Sequence, residues 1–141
     1  MLIKQLSVFV ENKQGRLSAI TDILRESGID IRALSLADTR DFGILRLIVN
    51  DVDKAYSALK SGECLVSLTD VIAVSIEDKP GGLTEAMDLL TQADISVEYM
   101  YAFISKSAGS ASVILRVDDN KKAVEVLSAK FKLLTQAEIA V

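Results

Sequence analysis

The chain has 141 residues, half of them apolar, with 16 lysines and arginines against 20 aspartates and glutamates. The formal net charge of −4, without any basic cluster, argues against a phosphate-backbone partner, so we expect no nucleic acid. The chain lacks histidine and has one cysteine, Cys64, which removes the commonest proton shuttle and any zinc-type ligand set. We therefore expect no catalysis, no metal and no cofactor.

Membrane signals are also missing from the sequence. Lys4 and Gln5 interrupt the first apolar residues, so the chain opens without a leader pattern. No apolar run approaches the ~20 residues that cross a bilayer as a helix. We expect a cytoplasmic protein with no membrane partner.

The first half of the chain predicts a mixed order of strands and helices. Residues 3–11 alternate in polarity and predict a strand. Leu17, Ile20 and Leu24 lie at helical spacing and predict a helix over residues 14–27, which Gly28 ends. The remaining predicted elements are strands at 29–38 and 42–50, a helix from Asp51 or Asp53, and a strand at 63–69.

The second half repeats this order. Its predicted elements are a strand at 71–78, a helix at 81–92, strands at 95–105 and 110–117, a helix at 119–129 and a strand at about 131–136. The predicted fold class is α+β, with two ferredoxin-like β-α-β-β-α-β copies packed side by side. In each copy both helices cover one face of an antiparallel sheet. We place domain 1 at residues 1–69 and domain 2 at 70–141, and residues 136–141 form either a short edge strand or a frayed end.

The clearest repeated motif follows the first strand of each copy. Asn12–Leu17 reads NKQGRL, and Asp78–Leu83 reads DKPGGL. Glycine at such a turn lets the chain bend and lets a ligand approach the backbone. The free N–H groups of the following first helical turn can bind a carboxylate. The polar residue that opens the motif either caps the helix or orients a ligand, and these two interpretations are compatible.

An Asn/Asp-x-x-Gly-x-Leu turn inside a β-α-β-β-α-β copy resembles the ACT domain, a regulatory module that binds amino acids. The whole chain resembles stand-alone tandem ACT proteins. The resemblance implies that an amino acid or related carboxylate binds at the seam between two domains, between this turn of one domain and strand two of its neighbour. The site residues carried over are Asn12, Gly15, Leu17, Asp30, Asp78, Gly81, Leu83 and Ser96. Regulation would then be allosteric and would pass through an unknown effector protein.

The strands also suggest how the protein associates. Tyr99, Tyr101 and Phe103 share one face of a strand by alternation, and we expect this face to pack beneath the helices. The alternative is that these tyrosines line an inter-domain pocket. Residues 44–49 are apolar on both faces, so the second face of the sheet needs cover as well, and we expect a homodimer.

Three other hypotheses use the same fold. A hydrolase of the acylphosphatase type needs a phosphate-cradling loop with paired arginine and asparagine, yet Gly82 in the second copy replaces Arg16. An RNA-binding module needs aromatic and basic residues on strands one and three, which are mainly apolar here. The main alternative is a ligand-free protein–protein interaction module, and nothing in the sequence excludes it.

Overall fold

The computed structural model describes residues 1–38, 40–103 and 108–140. Its strands are β1 Ile3–Glu11, β2 Ile31–Asp38, β3 Phe42–Val49, β4 Val66–Glu77, β5 Val97–Phe103, β6 Ser110–Val117 and β7 Lys132–Leu133. Its helices are α1 Arg16–Glu26, α2 Val52–Ser61, α3 Gly82–Gln92, α4 Asn120–Ser128 and α5 Gln136–Ile139. The last two residues of the strand predicted at 95–105 lie outside the described residues.

The chain divides into two compact units. The N-terminal unit contains Lys4–Thr69 and the end of the chain from Ile139, and the C-terminal unit contains Asp70–Glu138 and Met1–Ile3. The strand order is β2-β3-β1-β4 in the N-terminal unit and β7-β4-β6-β5 in the C-terminal unit. The registered strand pairs in both units are antiparallel. These observations confirm the predicted α+β class and the ferredoxin-like element order of each copy.

Each unit has its own apolar core between one face of its sheet and two helices. In the N-terminal unit, Leu6 and Leu47 of the sheet pack with Leu24 of α1 and Leu59 of α2. The C-terminal unit repeats this arrangement with Ile72, Leu90, Leu115 and Leu127. All eight side chains are at most 1% exposed, and each contributes about 1.5–3 kcal/mol by burial. Among the described residues, no helix has both the length and the apolar character needed to cross a membrane.

Two predicted strands are in fact one. The predictions ended a strand at Thr69 and began another at Val71, but β4 runs without interruption from Val66 to Glu77. Its residues Val71–Val74 are fully buried, so apolar burial continues through the expected break. The strand predicted from residue 63 begins only at Val66, because Glu63 has a positive φ of 64° that is incompatible with an extended strand.

Both alternatives for the C-terminal tail, a short edge strand and a frayed end, are wrong for residues 136–139. Residues Gln136–Ile139 form the short helix α5, and the strand predicted at about 131–136 is reduced to Lys132–Leu133. The hydroxyl of Thr135 accepts a bond from Glu138 N at 3.3 Å, and the Thr135 N–H donates to Glu138 Oε1 at 3.3 Å. This reciprocal pair is a capping box, which starts a helix at this point.

The aromatic residues of β5 lie on the opposite face from the one predicted. Tyr101 is paired with Ile114, whereas its neighbour Met100 is paired with Leu115. Leu115 belongs to the core beneath the helices, so Tyr101 and the residues that share its face point away from the helices. Both faces of this strand are apolar, and alternation alone could not decide which face the helices cover.

Part of the face away from the helices is buried within the single chain. Ile48 of β3 and Ile114 of β6 are both 0% exposed. Each is adjacent in sequence to a core residue of the helix-covered face, Leu47 and Leu115 respectively. The burial of these two side chains therefore needs no second copy of the protein, and the homodimer stays a prediction.

The backbone of Glu63 yields a first testable prediction. An exposed residue follows α2 at φ 64°, a left-handed conformation that costs an L-residue roughly 1–2 kcal/mol. We expect Glu63→Gly to raise the free energy of unfolding by about 0.5–1 kcal/mol, because glycine relieves this strain but gains entropy in the unfolded chain. Urea denaturation measures the change.

The control for this substitution is Glu125→Gly. Glu125 is exposed within α4, where glycine should lower the free energy of unfolding by about 1 kcal/mol. A loss of stability in both variants would contradict the interpretation that Glu63 is strained.

Candidate ligand-binding site

The turn between β1 and α1 has the conformation that the repeated motif predicts. Gly15 occupies the N-cap position of α1 with φ 86°, in the left-handed region. Gly81 has the same position and φ in front of α3. The turns also share a hydrogen bond, from Lys13 N to Glu11 O at 2.8 Å and from Lys79 N to Glu77 O at 3.0 Å. The two copies therefore repeat the turn in its backbone as well as in its sequence.

The helices after these turns start without a side-chain cap. Gly15 and Gly81 make no cap hydrogen bond, whereas Asp51 caps α2 and Asp119 caps α4. An α-helix leaves its first N–H groups without intrahelical acceptors. At α1 and α3 the first of these groups, on Arg16 and Gly82, donate to the carbonyl oxygens of Lys13 and Lys79. The next N–H groups are available to another acceptor, such as a carboxylate, and the positive end of the helix dipole favours an anion there.

A cavity of about 300 Å³ lies beside the first of these turns, entirely within the N-terminal unit. We call it the turn cavity. It is lined by three of the predicted site residues, Asn12, Gly15 and Leu17. Sequence reasoning missed the residues on its other side, which belong to the β2–β3 hairpin: Leu36, Asp38, Phe42 and Gly43.

The sheet register explains why the hairpin reaches the turn. Glu11 at the end of β1 is paired with Phe42 at the start of β3, and Gly43 is paired with both Val10 and Asp38. The predicted ferredoxin-like order places β3 beside β1. From this pairing, the sequence could have indicated that residues of the β2–β3 hairpin lie near the turn.

Asn12 connects the turn to the hairpin instead of capping α1. Its Nδ2 donates to the carbonyl oxygen of Arg40 at 3.3 Å, and its backbone N–H donates to the carbonyl oxygen of Asp41 at 3.1 Å. The alternative of a plain N-cap is therefore wrong for Asn12. Because Asn12 is exposed and lines the cavity, its side-chain oxygen can still contact a ligand.

Asp30 lies at the opposite end of β2 from the turn cavity. Its carboxylate accepts a hydrogen bond from Arg32 Nη1 at 2.9 Å, and its N–H donates to Asn50 Oδ1 at 2.9 Å. Ser96 occupies the equivalent position in the second copy, where its N–H donates to Asp118 Oδ1 at 3.0 Å. The predicted roles of Asp30 and Ser96 involve the turn of a neighbouring domain and stay predictions.

The remaining predicted residues belong to the second turn. Asp78 and Gly81 are exposed, and the Asp78 N–H donates to the carbonyl oxygen of Gly109 at 3.1 Å. Leu83 is half-buried and packs against the C-terminal core. Leu17, its counterpart in the first copy, is 40% exposed and lines the turn cavity. The two copies therefore differ in the environment of this leucine.

Each turn carries one short ion pair between a lysine and a glutamate. Lys13 Nζ lies 3.1 Å from Glu11 Oε2, and this hydrogen bond is the main reason that the pKa of Glu11 is lowered. Lys79 Nζ lies 2.7 Å from Glu77 Oε2, and this bond raises the pKa of Lys79. Over the described part of the chain, no group of three or more acidic or cysteine side chains could bind a metal ion.

The family model of the ACT domain pair matches residues 1–140, so the chain belongs to the ACT domain pair family and the predicted family is confirmed. The chain is similar to protein BT0572 from Bacteroides thetaiotaomicron, with 41% sequence identity, a TM-score of 0.93 and coverage of 99% of this chain and 96% of that chain. ACT domains are regulatory modules, not catalytic ones.

Two further solved structures share the fold at low sequence identity. The regulatory subunit of aspartate kinase from Thermus thermophilus, in its ligand-free form, has 17% identity, a TM-score of 0.64 and coverage of 92% of this chain and 93% of that chain. The corresponding subunit from Thermus flavus has 16% identity, a TM-score of 0.60 and coverage of 92% and 94%. No curated protein matches the sequence.

The second turn yields a prediction about its adjacent glycines. At Gly82 an added Cβ would overlap the carbonyl oxygen of Glu77, whereas at Gly81 it would meet no atom within 4 Å. We expect Gly81→Ala to lower the free energy of unfolding by about 1–2 kcal/mol through backbone strain alone. Gly82→Ala should cost about 3 kcal/mol or more, because a backbone carbonyl cannot move aside as a side chain does.

Urea denaturation of both variants measures this difference. Arg16→Ala is the matched control, because Arg16 holds the place of Gly82 in the first copy and already carries a Cβ. It should change stability by less than either glycine variant. A larger loss at Gly81 than at Gly82 would contradict the steric role of Gly82.

Proposed function

We propose that this protein is a non-catalytic regulatory sensor that binds an amino acid or a related carboxylate and transmits its presence to an effector protein. The observation that carries this proposal is the turn cavity at the uncapped N-terminus of α1. It combines a glycine turn, open helical N–H groups and an apolar wall within one unit. Membership of the ACT domain pair family supports a regulatory role.

The ligand's carboxylate is assigned to the first turn of α1. The first intrahelical hydrogen bond of α1 runs from Ala19 N to Gly15 O at 3.0 Å, so the N–H groups of Leu17 and Ser18 precede it. Both residues line the turn cavity. A carboxylate that accepts from these N–H groups is further stabilised by the helix dipole.

The rest of an amino acid matches the other side of the cavity. Asp38 is the carboxylate on the hairpin side, where it can pair with an ammonium group. Leu17, Leu36 and Phe42 supply apolar surface, which favours a ligand with an apolar side chain. Leu36 is 45% exposed without a ligand, so contact with a bound side chain would remove apolar area from water.

Transmission follows from the connection between the two sides of the cavity. Asn12 links the turn to the hairpin through Arg40 and Asp41. A ligand that contacts both sides stabilises one arrangement of this link, and an effector protein that prefers this arrangement is thereby favoured. A cytoplasmic location and contributions of Asp30 and Ser96 from a neighbouring domain remain parts of this proposal.

The test is a thermal-shift screen of the whole chain against the twenty amino acids and several aryl carboxylates. A ligand that binds only the folded protein raises the melting temperature as its concentration increases. For the best ligand, Asp38→Asn should weaken binding about 10- to 100-fold, because a charge-assisted hydrogen bond contributes about 1.5–3 kcal/mol.

Asp41→Asn is the matched control, since Asp41 is an exposed carboxylate of the same hairpin that does not line the turn cavity. Unchanged binding in this variant, together with weakened binding in Asp38→Asn, supports a ligand in the turn cavity. The opposite result would contradict the assignment of the ligand to the turn cavity. No shift with any compound would favour the alternative function, a ligand-free interaction module.

The exposed edge of the sheet in the N-terminal unit supports the proposed homodimer. β2 is the edge strand of the N-terminal unit, and Leu34 on it is 54% exposed. We expect Leu34→Lys to produce a monomer, because a charged edge opposes pairing with another strand. Light scattering coupled to size-exclusion chromatography measures the mass.

Leu65→Lys, at a 71% exposed position away from this edge, should leave the dimer intact. A monomeric wild-type protein would contradict the predicted homodimer.

A further inference from the structure

A second cavity lies on the other flank of α1, also within the N-terminal unit. It measures about 270 Å³, and we call it the flank cavity. Successive residues of α1 divide between the two cavities, because each residue turns about 100° around the helix axis. Leu17 and Ser18 line the turn cavity, whereas Arg16, Ala19 and Ile20 line the flank cavity. The segment from Gly62 to Leu65, which follows α2, closes its far side.

Arg16 is the cation of the flank cavity, and its charge is only loosely paired. Among the residues that the structure describes, its ion-pair contact joins Nη2 to Glu11 Oε1 at 3.8 Å, beyond hydrogen-bond length. Glu11 makes its shorter contact, 3.1 Å, with Lys13. The guanidinium of Arg16 therefore retains donors for another acceptor in the cavity, and its planar fork matches a carboxylate.

The rest of the lining is apolar apart from two acids and Cys64. Ile20 and Ile23 of α1, with Leu65, form an aliphatic wall. Glu63 is exposed at the edge of the cavity, where solvent screens its repulsion of a carboxylate, and this repulsion is larger for a ligand with two negative charges. The volume is near the lower limit for small-molecule sites, about 300 Å³, so only a small ligand fits.

We propose that the flank cavity is a second small-molecule site, which binds a monocarboxylate with a small aliphatic body. Arg16 pairs with the carboxylate, and Ile20, Ile23 and Leu65 contact the aliphatic body. This site is separate from the amino-acid site of the turn cavity and needs no ammonium group on its ligand. Val10 and Glu11 line both cavities, so neither residue can distinguish the two sites.

The C-terminal unit has a cavity at the equivalent place, of about 240 Å³. It lies between the end of β4, the start of α3 and the segment Lys130–Lys132. The cavity is therefore a feature of each copy of the fold, not an accident of one loop. Its lining differs, however, because Gly82 replaces Arg16 and Glu85 replaces Ala19. The cations of this cavity, Lys130 and Lys132, lie after α4 and not on the helix that follows the turn, so the arrangement proposed for Arg16 is specific to the N-terminal unit.

Cys64 provides a reporter for the flank cavity. It is the single cysteine of the chain, and it lines this cavity but not the turn cavity. Burial raises the pKa of its thiol, and the nearby charge of Arg16 opposes this shift. Its rate of disulfide exchange with Ellman's reagent can be measured at about pH 8.5, where a thiolate fraction is present.

The probe is 4-methylpentanoate, with isopentylamine as the matched compound that carries the opposite charge. We expect 4-methylpentanoate to slow the modification of Cys64 in a saturable way, and isopentylamine to leave the rate unchanged. Arg16→Gln should raise the half-protecting concentration about tenfold or more, through loss of a charge-assisted hydrogen bond. Arg25→Gln, which removes a cation of the same helix that lines neither cavity, should leave protection unchanged.

A second variant tests the cavity without altering its charge. Ala19→Met places a larger side chain in the flank cavity and should abolish protection while Arg16 remains. Protection that persists in both Arg16→Gln and Ala19→Met would overturn the proposal, as would equal protection by isopentylamine or none by 4-methylpentanoate. A failure of the turn-cavity proposal would instead appear in the thermal-shift screen. Either no amino acid would raise the melting temperature, or Asp38→Asn would leave the affinity unchanged. The two proposals therefore fail separately.

Discussion

The left-handed glycine at the start of α1 and α3 is the constraint on which the candidate sites depend. Gly15 and Gly81 both have φ 86°, which lets the chain leave a strand and enter a helix within a few residues. A glycine N-cap has no side-chain acceptor, so N–H groups of the first turn of these helices remain open after those of Arg16 and Gly82, which donate to backbone carbonyls. At α2 and α4 an aspartate cap accepts a hydrogen bond from one of the corresponding N–H groups, that of Lys54 or Lys122. The same turn thus shapes the backbone and leaves a place for an anion.

The two copies share this backbone but differ in the side chains around it. Arg16 in the first copy corresponds to Gly82 in the second, where the carbonyl oxygen of Glu77 leaves no room for a Cβ. Leu17 is exposed at a cavity, whereas Leu83 packs against a core. The second copy is therefore more closely packed at its turn. This asymmetry is consistent with a division of roles, in which the N-terminal unit binds small molecules.

Most of the fold was predictable because it depends on local patterns. Helical spacing in α1, alternation in β1 and the duplicated turn were sufficient to derive the element order, and the turn motif within that order resembled the ACT domain. The errors occurred where neighbouring signals were weak or symmetrical. Alternation could not orient β5, since both of its faces are apolar. The break expected at Thr69 does not interrupt β4, and the capping box of Thr135 and Glu138 outweighed a resemblance of the tail to a strand.

The sequence by itself determined the duplication, the α+β class and the turn residues Asn12, Gly15 and Leu17, because each follows from residues close together in the chain. Only the tertiary structure decided what those residues meet. Asn12 bonds to Arg40, 28 positions away, and Asp38 reaches the cavity through the register of β2, β3 and β1. Which side chains line a cavity depends on contacts between distant segments, and strand pairing, not local preference, brings these segments together.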